Sequence, residues 1–594
     1  MLTRKTETSL VVAGPHPASL GYESIGAMLL AAARRTPDQV FLEQRVGDQW
    51  HTLRFEEAWE QAAHLASSLL SLGLNVNRPL AIVSQNSISH ALVSLAAQLA
   101  GVPVAPISVA YSQIDDLSRL KSILQLLTPG ALFAQDEVAF GRAIELADDL
   151  GISVIVESAG SSRRRLKLAD LVSAPVSAPM PDVSRETIGK VLFTSGSTGV
   201  PKGVMLTHGM MCSNQEAILE NWPFLAEETP LFVDWLPWNH VFGGNLIFNC
   251  AIRNSGKLVI DDGKPLPGQF NRTIENIRRT PPTMHLSVPG ALGELVRAMS
   301  DDDDFARIFY SRLRAIFSAG AALPQATWDQ LHRLARRHGR PDFKLYIGWG
   351  STETAPVVSI TPPDNLHCNN LGAPVCGAEI KLVTDNATTE LRLRGPMVFS
   401  GYWRNPEASA DAFDEEGFYR IGDAGRLVCP EQPQAGILFD GRVAENFKLT
   451  TGTWVQVGKL RVEAISAAAP VIQDVVIAGQ DQEEVGLLIF PNLDGCREVA
   501  RLPNAELGEL IRNPSVHATI RQGLEKLSTS GSSTRIARAI LLETPPSMAA
   551  GEITDKGYIN QRAALSNRSE SVKLLYGSRR LPEMIYLHDK ESLP

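Results

Sequence analysis

The chain has 594 residues, of which 44% are hydrophobic and 20% charged, and this composition excludes a globally disordered protein. Its 56 Lys and Arg residues against 65 Asp and Glu residues give a formal net charge of −9. That balance argues against a nucleic-acid or anionic-membrane binder, although it leaves room for a local nucleotide pocket. The six cysteines form no CxxC pair or zinc-type Cys/His cluster and no targeting segment is visible, so we expect a cytoplasmic protein.

Strand-like and helical patterns alternate through about the first 440 residues, which predicts an α/β fold of mostly parallel sheets layered with helices. The stretch 79–114 contains no Lys, Arg, Asp or Glu, so a membrane span is an alternative interpretation there. Polar residues and prolines interrupt it, so we predict a strand at 80–83, a helix near 87–99 and a strand at 102–107. Further strands are predicted, in chain order, at 153–156, 190–193, 231–236, 257–260, 314–318 and 344–347.

The pattern changes after about residue 375, where shorter strands such as 379–383 and 390–394 predict a small strand-rich part. The stretch 439–442 is turn-prone, and the segment after it has the pattern of a compact α+β unit. The acidic run 301–304 is interpreted as a solvated loop rather than a metal site, and the Ser/Gly patch 528–534 as a mobile loop.

The strongest chemical signal is the segment 194–203, TSGSTGVPKG, which directly follows a predicted strand. Its hydroxyls can donate to phosphate oxygens, its glycines let the backbone approach an anion, and its lysine adds positive charge. The residues concerned are Thr194, Ser195, Gly196, Ser197, Thr198, Gly199, Lys202 and Gly203. The segment is not a P-loop, because Pro201 stands where the second glycine belongs. An ordinary Ser/Gly turn is the alternative, which this density of hydroxyls and glycines disfavours.

This segment resembles the phosphate-binding signature of the adenylate-forming enzymes, the superfamily of acyl-CoA synthetases, luciferases and peptide-synthetase adenylation domains. Five further segments resemble motifs of that superfamily in the same order. They are the acyl-pocket entrance at 236–243, the adenine-pocket segment at 318–323, the aromatic–Gly–x–Thr–Glu motif at 348–353, the ribose motif at 419–423 and the hinge at 440–442. The resemblance runs from about Tyr22 to Ala564.

The resemblance implies that a carboxylate attacks the α-phosphate of ATP and that pyrophosphate leaves. Glu353 would then hold Mg²⁺, Thr352 would donate to the α-phosphate, and Trp349 would stack on adenine. Asp423 would accept both ribose hydroxyls, and Arg442 would reach the ribose or the α-phosphate. Thr194 joins Glu353 among the catalytic residues, and Gly320, Ala321, Ala322 and Gly350 complete the nucleotide-binding set. Taken singly, each residue also suits an ordinary structural role, and only the shared order of the motifs separates the two.

The resemblance also implies a second half-reaction, in which the C-terminal domain rotates and the thiol of CoA attacks the acyl adenylate. We expect an N-terminal adenylation domain over 1–440, a hinge at 441–444 and a smaller mobile α+β domain over 445–594. About 150 residues follow the hinge and show no carrier attachment motif, which favours a stand-alone CoA ligase over a carrier-dependent module. Ala444 and Glu445 replace the Lys-Asp pair usual in the family, which leaves the hinge role open.

For the acid, the segments 235–244, 439–455 and 551–558 look most like bacterial feruloyl-CoA synthetases, which activate hydroxycinnamic acids in aromatic acid catabolism. The expected acid-binding residues are His240, which is also expected to be catalytic, with Val241, Phe242, Gly320 and Gly348. Small residues at Gly320, Ala321 and Gly348 leave room for a ring. The alternatives are a CoA ligase for a benzoate or fatty acid, and an adenylate-binding protein without turnover. The expected partners are the acid, ATP and CoA, with no nucleic acid and no membrane; the oligomeric state stays open, with a homodimer as one option.

One expected residue is missing from its motif. The family carries a lysine in a Gly-Lys-Ile-like motif, where it bridges the acid and the α-phosphate, and the match here is Gly551-Glu552-Ile553. We expect Lys556 to be the adenylation lysine instead, because in a helix Glu552 would lie one turn away and position it, and a loop could present it equally. A surface Glu–Lys pair without a catalytic part is the alternative, and Lys448 is the next candidate lysine.

Overall fold

A computed structural model describes the chain over residues 1–5, 9–113, 116–158, 165–194, 201–266, 268–385, 388–527, 535–547, 550–553, 559–577 and 579–587. Within these ranges helices alternate with strands up to about residue 374, a strand-rich part follows, and a smaller α+β part ends the described chain. The mixed α/β fold predicted from the sequence is therefore confirmed.

The largest sheet of the described residues is parallel except at one edge, where a hairpin lies. In sheet order its strands are Lys202–Thr207, Ile188–Thr194, Val104–Pro106, Leu80–Val83, Ala131–Asp136, Ser153–Ser158 and Leu166–Lys167. The predicted strand–helix–strand unit is confirmed here, because the helix Ile88–Leu99 joins two neighbouring strands. The Ser87 hydroxyl caps that helix by accepting from the His90 amide at 3.0 Å. No helix among the described residues is long and apolar enough to cross a membrane.

Two further sheets pack beside the first. One contains, in sheet order, Leu231–Asp234, Lys257–Ile260, Val40–Val46 and Gln49–Arg54, and the other Met284–Ser287, Ala315–Ser318, Lys344–Gly350, Val357–Ile360 and Ala373–Pro374. The predicted acyl-entrance segment follows the carboxyl end of Leu231–Asp234. The adenine-pocket segment follows that of Ala315–Ser318, and Lys344–Gly350 leads into Thr352 and Glu353. Several motifs thus emerge at carboxyl ends of parallel strands, where ligands of such sheets commonly bind.

Most of the helices cover these sheets with a buried apolar face, whereas His208–Asn221 is buried from His208 to Ile218 and Pro406–Asp411 has no buried residue. Besides Ile88–Leu99 they are Ile25–Arg35, Phe55–Ser71, Val109–Gln113, Ser118–Leu127, Gly141–Asp149, Leu168–Ser173, His208–Asn221, Phe224–Glu227, Phe248–Arg253, Phe270–Arg279, Pro289–Asp301, Asp303–Tyr310, Gln325–Arg337 and Pro406–Asp411. The prediction of a loop at 301–304 is wrong, because one helix ends at Asp301 and the next begins at Asp303, but the expected exposure to solvent is confirmed for Asp301, Asp303 and Asp304. Asp302 caps the second helix by accepting from the Phe305 amide at 2.9 Å.

The strand-rich part is a six-stranded antiparallel sheet. Its strands are Leu2–Lys5, Ser9–Ala13, Glu379–Asp385, Thr388–Arg394, Tyr419–Leu427 and Ile437–Arg442. The prediction of a turn at 439–442 is wrong, because these residues end the last strand and pair with Tyr419–Leu427. Gly441, at φ +97°, lies so close to Gly458 that a side chain on either residue would collide with the backbone of the other.

Residues from 447 onward contain separate hydrophobic clusters, built around a four-stranded sheet. Its strands are Ile472–Ala478, Val485–Pro491, Ile536–Leu541 and Met584–Tyr586, and a small hairpin of Phe447–Lys448 and Trp454–Val455 precedes it. The helices here are Val457–Ala467, Leu493–Ala500, Leu507–Leu510, Pro514–Leu527, Gln561–Asn567 and Ser569–Tyr576. The Ser/Gly patch 528–534, predicted as a mobile loop, lies outside the described residues.

Candidate nucleotide and acyl site

The two ends of the predicted phosphate loop are held opposite each other. Thr194 ends one strand and Lys202 begins the next, and the two residues are direct partners in the antiparallel ladder. Five residues predicted to bind phosphate between them, Ser195, Gly196, Ser197, Thr198 and Gly199, lie outside the described residues. The Trp403 amide donates to the Gly203 carbonyl at 2.7 Å, so the loop is also tied to the strand-rich part.

A tyrosine connects the loop to the expected magnesium ligand. The ammonium of Lys202 lies 5.1 Å from the ring centroid of Tyr402, and the Tyr402 hydroxyl donates to Glu353 Oε1 at 3.2 Å. Glu353 is buried in the short 3₁₀ turn Thr352–Thr354. Burial and the charge of Glu353 raise the pKa of Tyr402 above its usual value, so this phenol stays protonated and donating. The structure thus brings Lys202 to the ring and Glu353 to the hydroxyl of Tyr402, a residue that the sequence did not single out.

The expected adenine and ribose residues contact each other. The indole nitrogen of Trp349 donates to Asp423 Oδ2 at 2.7 Å, and Arg442 Nε lies 2.9 Å from Asp423 Oδ1. Asp423 and Arg442 are partners on neighbouring strands, and both Trp349 and Asp423 are buried while Arg442 is exposed. One oxygen of the carboxylate is therefore fixed by a hydrogen bond from Trp349, and the other is in ion-pair contact with Arg442.

The adenine-pocket segment reaches the surface at its middle, whereas Ser318 and Leu323 at its two ends are buried. Gly320 is exposed at φ +91°, and a Cβ placed on it would have only Val288 nearby, at 3.7 Å. Ala321 is half-buried and Ala322 is exposed. The room expected at Gly320 is present.

The room expected at Gly348 is not present, and this part of the pocket prediction is wrong. A Cβ on Gly348 would lie 2.1 Å from Phe317 Cζ, so the Phe317 ring occupies that space. Phe317 is fully buried and packs edge-to-face against Phe242, at 5.8 Å between ring centroids, and against Trp222, at 5.1 Å. We call these three rings the aromatic wall. A small residue in a sequence indicates free space only when no side chain from another strand fills it.

The acyl-entrance segment folds back onto an unusual helix. Residues Phe242–Ile247 form a π-helix, a geometry that often marks functional sites. Glycine is required at Gly243 and Gly244, because a Cβ there would lie 2.4 Å from the Leu236 carbonyl oxygen and 2.2 Å from that of Trp238. His240 is half-buried on the turn before this helix, whereas Val241 and Phe242, the other two expected acid-binding residues of the segment, are buried.

Of the two candidate adenylation lysines, only Lys448 lies among the described residues. Lys556 lies outside the described residues, and Lys448 is exposed on a short strand. Ile553 forms an antiparallel bridge with Ile559, so Glu552 and Ile553 do not begin the helix that one option expected.

Glu552 is buried in an ion pair with Arg568. Both of its oxygens accept from Arg568, at 3.0 and 2.8 Å, and the Ser547 amide donates to Oε2 at 2.8 Å. Burial alone would raise the pKa of Glu552, but the bonds from Arg568 and Ser547 outweigh it and the pKa lies below its usual value. A carboxylate neutralised in this way has no need of Lys556 as a partner.

Around the expected hinge, Val443–Glu445 form a short 3₁₀ turn directly after Arg442. Burial raises the pKa of Glu445, and the nearby Arg442 and Arg461 only partly offset that effect. Gly441, just before this turn, is in close contact with Gly458, which follows it. The backbone of the expected hinge is therefore packed against the residues after it.

Two stretches of the chain match known protein families. Residues 29–403 match the AMP-binding enzyme family, and residues 450–580 match the AMP-binding enzyme C-terminal domain. Among curated proteins, the long-chain-fatty-acid–CoA ligase FadD15 of Mycobacterium bovis is 22% identical over 607 aligned positions, covering 95% of this chain and 98% of its own. The 4-coumarate–CoA ligase 2 of Narcissus pseudonarcissus is 27% identical, over 61% of this chain and 65% of its own.

Solved structures share the fold at low identity. ATP-bound MatB from Rhodopseudomonas palustris aligns with a TM-score of 0.73 at 20% identity, covering 92% of this chain and 99% of its own. The anthranilate CoA ligase AuaEII, solved with anthranoyl-AMP, aligns with a TM-score of 0.73 at 19% identity, covering 94% of this chain and 99% of its own. These similarities establish the fold, and the substrates named are those of the compared proteins.

Proposed function

Because the chain belongs to the AMP-binding enzyme family, we propose that it is an acid–CoA ligase that works through an acyl adenylate, with a hydroxycinnamate-like aromatic acid as its substrate. The observation that carries the ligase chemistry is the pair of fixed contacts described above. Tyr402 lies between Lys202 and Glu353, and Asp423 lies between Trp349 and Arg442. The first contact suits phosphates and the second suits a nucleoside, as adenylation of an acid requires.

In the first half-reaction, a carboxylate oxygen of the acid attacks the α-phosphorus of ATP, and the bond to the β-phosphate oxygen breaks to release pyrophosphate. We assign Thr194, Thr352 and Lys202 to the phosphate oxygens, where donors and positive charge stabilise the negative charge of the transition state. Asp423 holds the ribose and Trp349 the adenine, with Gly320, Ala321, Ala322 and Gly350 beside it. Arg442 reaches the ribose or the α-phosphate.

Glu353 supplies the carboxylate oxygen for a magnesium ion. Among the described residues no group of three or more His, Cys, Asp or Glu side chains could hold a metal. A single carboxylate with phosphate oxygens and water as the remaining ligands fits Mg²⁺, which keeps several waters and seldom takes an all-protein cage. A bound Mg²⁺ would supply positive charge against the phosphates, and the Tyr402 hydroxyl, which donates to Glu353 Oε1, restrains the carboxylate that would hold it.

In the second half-reaction, the sulfur of CoA attacks the acyl carbon, the bond to the AMP oxygen breaks, and AMP leaves. We propose residues 1–440 as the adenylation domain, 441–444 as the hinge and 445–594 as the domain that rotates between the steps. His240 positions the acid at the pocket entrance, and Lys556 bridges the acid and the α-phosphate during adenylation. The tight Gly441–Gly458 contact supports a defined docking of the two domains in at least one state.

The aromatic wall supports a compact, planar acid. Phe317 packs edge-to-face against Phe242 and fills the space beside Gly348, so rigid rings close this side of the expected acid pocket, which favours a short, flat acid over a long chain. The second candidate is a fatty acid, which the similarity to FadD15 along nearly the whole chain favours. The similarity to the 4-coumarate ligase, although over less of the chain, supports the aromatic acid.

A panel of acids with ATP, Mg²⁺ and CoA tests the proposal. Pyrophosphate and AMP should form with ferulate and coumarate at a kcat/KM at least about tenfold above that for palmitate or octanoate. Equal turnover of palmitate and ferulate would contradict the aromatic acid. ADP as the nucleotide product, or no turnover with any acid, would contradict the ligase itself and favour an adenylate-binding protein.

A further inference from the structure

A lysine that no motif includes is buried behind the site. Lys190 lies in the strand Ile188–Thr194, four residues before Thr194, and is 4% exposed. Its ammonium donates to the Gly244 carbonyl at 2.6 Å and to Asn245 Oδ1 at 2.9 Å. In the part of the chain that the structure describes, no carboxylate pairs with Lys190. Its only strong partners are therefore two groups on the π-helix.

Burying an amine without a counter-ion is costly. Burial lowers the pKa of Lys190 to about 7, from an ordinary value above 10. The titratable neighbours are His90 and His208, whose pKa values burial and Lys190 lower to about 4 and about 3, so both rings are neutral at pH 7. The Phe248 ring, 5.9 Å away, completes the surroundings. An apolar side chain would fill this space at lower cost. The role of the lysine is therefore to make the two hydrogen bonds to Gly244 and Asn245.

The two hydrogen bonds connect the two substrate segments. Thr194, at the end of the Lys190 strand, opens the phosphate loop, and His240 and Phe242 lie just ahead of Gly244 on the other side. Gln215 of the helix His208–Asn221 donates to the Asn245 carbonyl at 3.2 Å, so the π-helix is held from a second side. The distance from the phosphate loop to the acid-binding residues is thereby set by Lys190.

We propose that Lys190 is a positioning residue, which holds the acyl-entrance segment in register with the phosphate loop so that the acid's carboxylate meets the α-phosphate. This inference rests on the proposed function, because that function assigns ATP to one segment and the acid to the other. Alignment matters when two separate substrates must react. In an acyl adenylate the two halves are already joined covalently, so the second half-reaction needs the register much less.

The difference between the half-reactions gives the test. Lys190→Met keeps the length and apolar volume of the side chain and removes its donors. We expect pyrophosphate release to fall at least about thirtyfold, with higher KM values for both the acid and ATP. Transfer from a supplied acyl adenylate to CoA should stay within about threefold of the unmutated rate. A merely structural role would lower both rates by the same factor, and such a result, or no loss in either step, would overturn the proposal.

Lys381→Met is the matched control, since Lys381 is 5% exposed in the six-stranded sheet and pairs with Asp414 at 3.1 Å, away from the site. It should reduce thermal stability and leave the ratio of the two half-reactions unchanged. If Lys190→Met does not fold, Asn245→Ala removes one acceptor from the opposite side and should give the same selective loss; equal loss of both steps would overturn the proposal. If the unmutated chain adenylates no acid, the proposed function fails, and this role of Lys190 fails with it.

Discussion

The indole nitrogen of Trp349 donates a hydrogen bond of 2.7 Å to Asp423 Oδ2 in the buried part of the candidate nucleotide site. The contact links the flat side chain expected to face adenine to the carboxylate expected to bind the ribose. Arg442, on the other oxygen, completes the restraint. The direction of the Asp423 carboxylate is therefore set by Trp349 and Arg442 before a nucleotide arrives, which lowers the cost of ordering it on binding.

Trp349→Phe should keep the aromatic face and remove the donor. We expect the KM for ATP to rise about tenfold, because a hydrogen bond to a charged group contributes roughly 1.5–3 kcal/mol. Asp423→Ala should raise it further, since the ribose contact itself is lost. The control is Trp328→Phe, which replaces a buried tryptophan in the helix Gln325–Arg337, outside the nucleotide site. Steady-state pyrophosphate release at varied ATP measures the effect, and an unchanged KM in Trp349→Phe would contradict the positioning of Asp423 by Trp349.

Tyr402→Phe should weaken the use of magnesium. The hydroxyl that orients Glu353 at 3.2 Å is lost, while the ring beside Lys202 remains. We expect a three- to tenfold fall in kcat/KM, from about 1 kcal/mol of lost hydrogen bonding, and a higher Mg²⁺ concentration at half-maximal rate. Tyr310→Phe removes a buried hydroxyl that donates to the Leu331 carbonyl in another core, and its Mg²⁺ dependence should match that of the unmutated chain. The same Mg²⁺ curve for Tyr402→Phe would argue against a role at Glu353.

Gly348→Ala should be poorly tolerated, because its Cβ would stand 2.1 Å from Phe317 Cζ. Overpacking of this kind costs about 1–3 kcal/mol, so the midpoint of thermal unfolding should fall. Phe317→Leu combined with Gly348→Ala should recover much of the loss, since the shorter side chain makes room. Non-additivity of the two substitutions measures their contact. Strictly additive changes in unfolding free energy would show that the two side chains do not compete for one space.

Phe317→Ala should change the selectivity for the acid. Removing the ring opens the space behind Phe242, so the ratio of kcat/KM for octanoate to that for ferulate should rise at least about fivefold. Phe309→Ala, in a different hydrophobic cluster, provides the control for a large-to-small change. If Phe317→Ala lowers turnover of both acids by the same factor, the aromatic wall stabilises the fold without limiting the length of the acid.

Lys556→Ala should separate the half-reactions in the manner expected of an adenylation lysine. Formation of the acyl adenylate should fall by more than about a hundredfold, because a charge that bridges two anions is lost. Transfer from a supplied adenylate to CoA should be mostly retained. Lys573→Ala, an exposed lysine paired with Glu570, is the control, and Lys448→Ala tests the other candidate. Adenylation by Lys556→Ala at the unmutated rate would refute the assignment.

The pH dependence of stability should show the buried ion pair of Glu552. Its pKa in the folded chain is lowered, so the pair contributes stability above the unfolded value of about 4.3 and loses it as the pH falls below that value. Glu552→Gln should cost about 3 kcal/mol at pH 7, the scale for breaking a buried pair. The difference in unfolding free energy between Glu552→Gln and the unmutated chain should narrow as the pH falls below about 4. Glu570→Gln, in an exposed pair, should differ little at either pH, and a pH-independent gap for Glu552→Gln would exclude the ionised pair.

Local patterns in the sequence predicted most of the strands, because a buried strand is set by its own apolar run; Lys257–Ile260 has the predicted ends. Features that depend on contacts distant in the chain were missed. The Asp-Gly pair at 440–441 suggests a turn until the strand Tyr419–Leu427 pairs with it. Tyr402 has no motif of its own and gains a role only through Glu353, and the space beside Gly348 is filled from another strand.

The pairing of Glu552 with Arg568 also limits how this chain can change. A lysine at position 552, the residue that the motif leads one to expect, would place an ammonium beside the guanidinium of Arg568, which is 12% exposed and already donates to the Thr544 and Pro545 carbonyls. Two like charges at that separation repel, so Glu552→Lys alone should destabilise the chain. Only a joint exchange of the two charges would keep the pair, so a lysine at position 552 requires a compensating change at position 568.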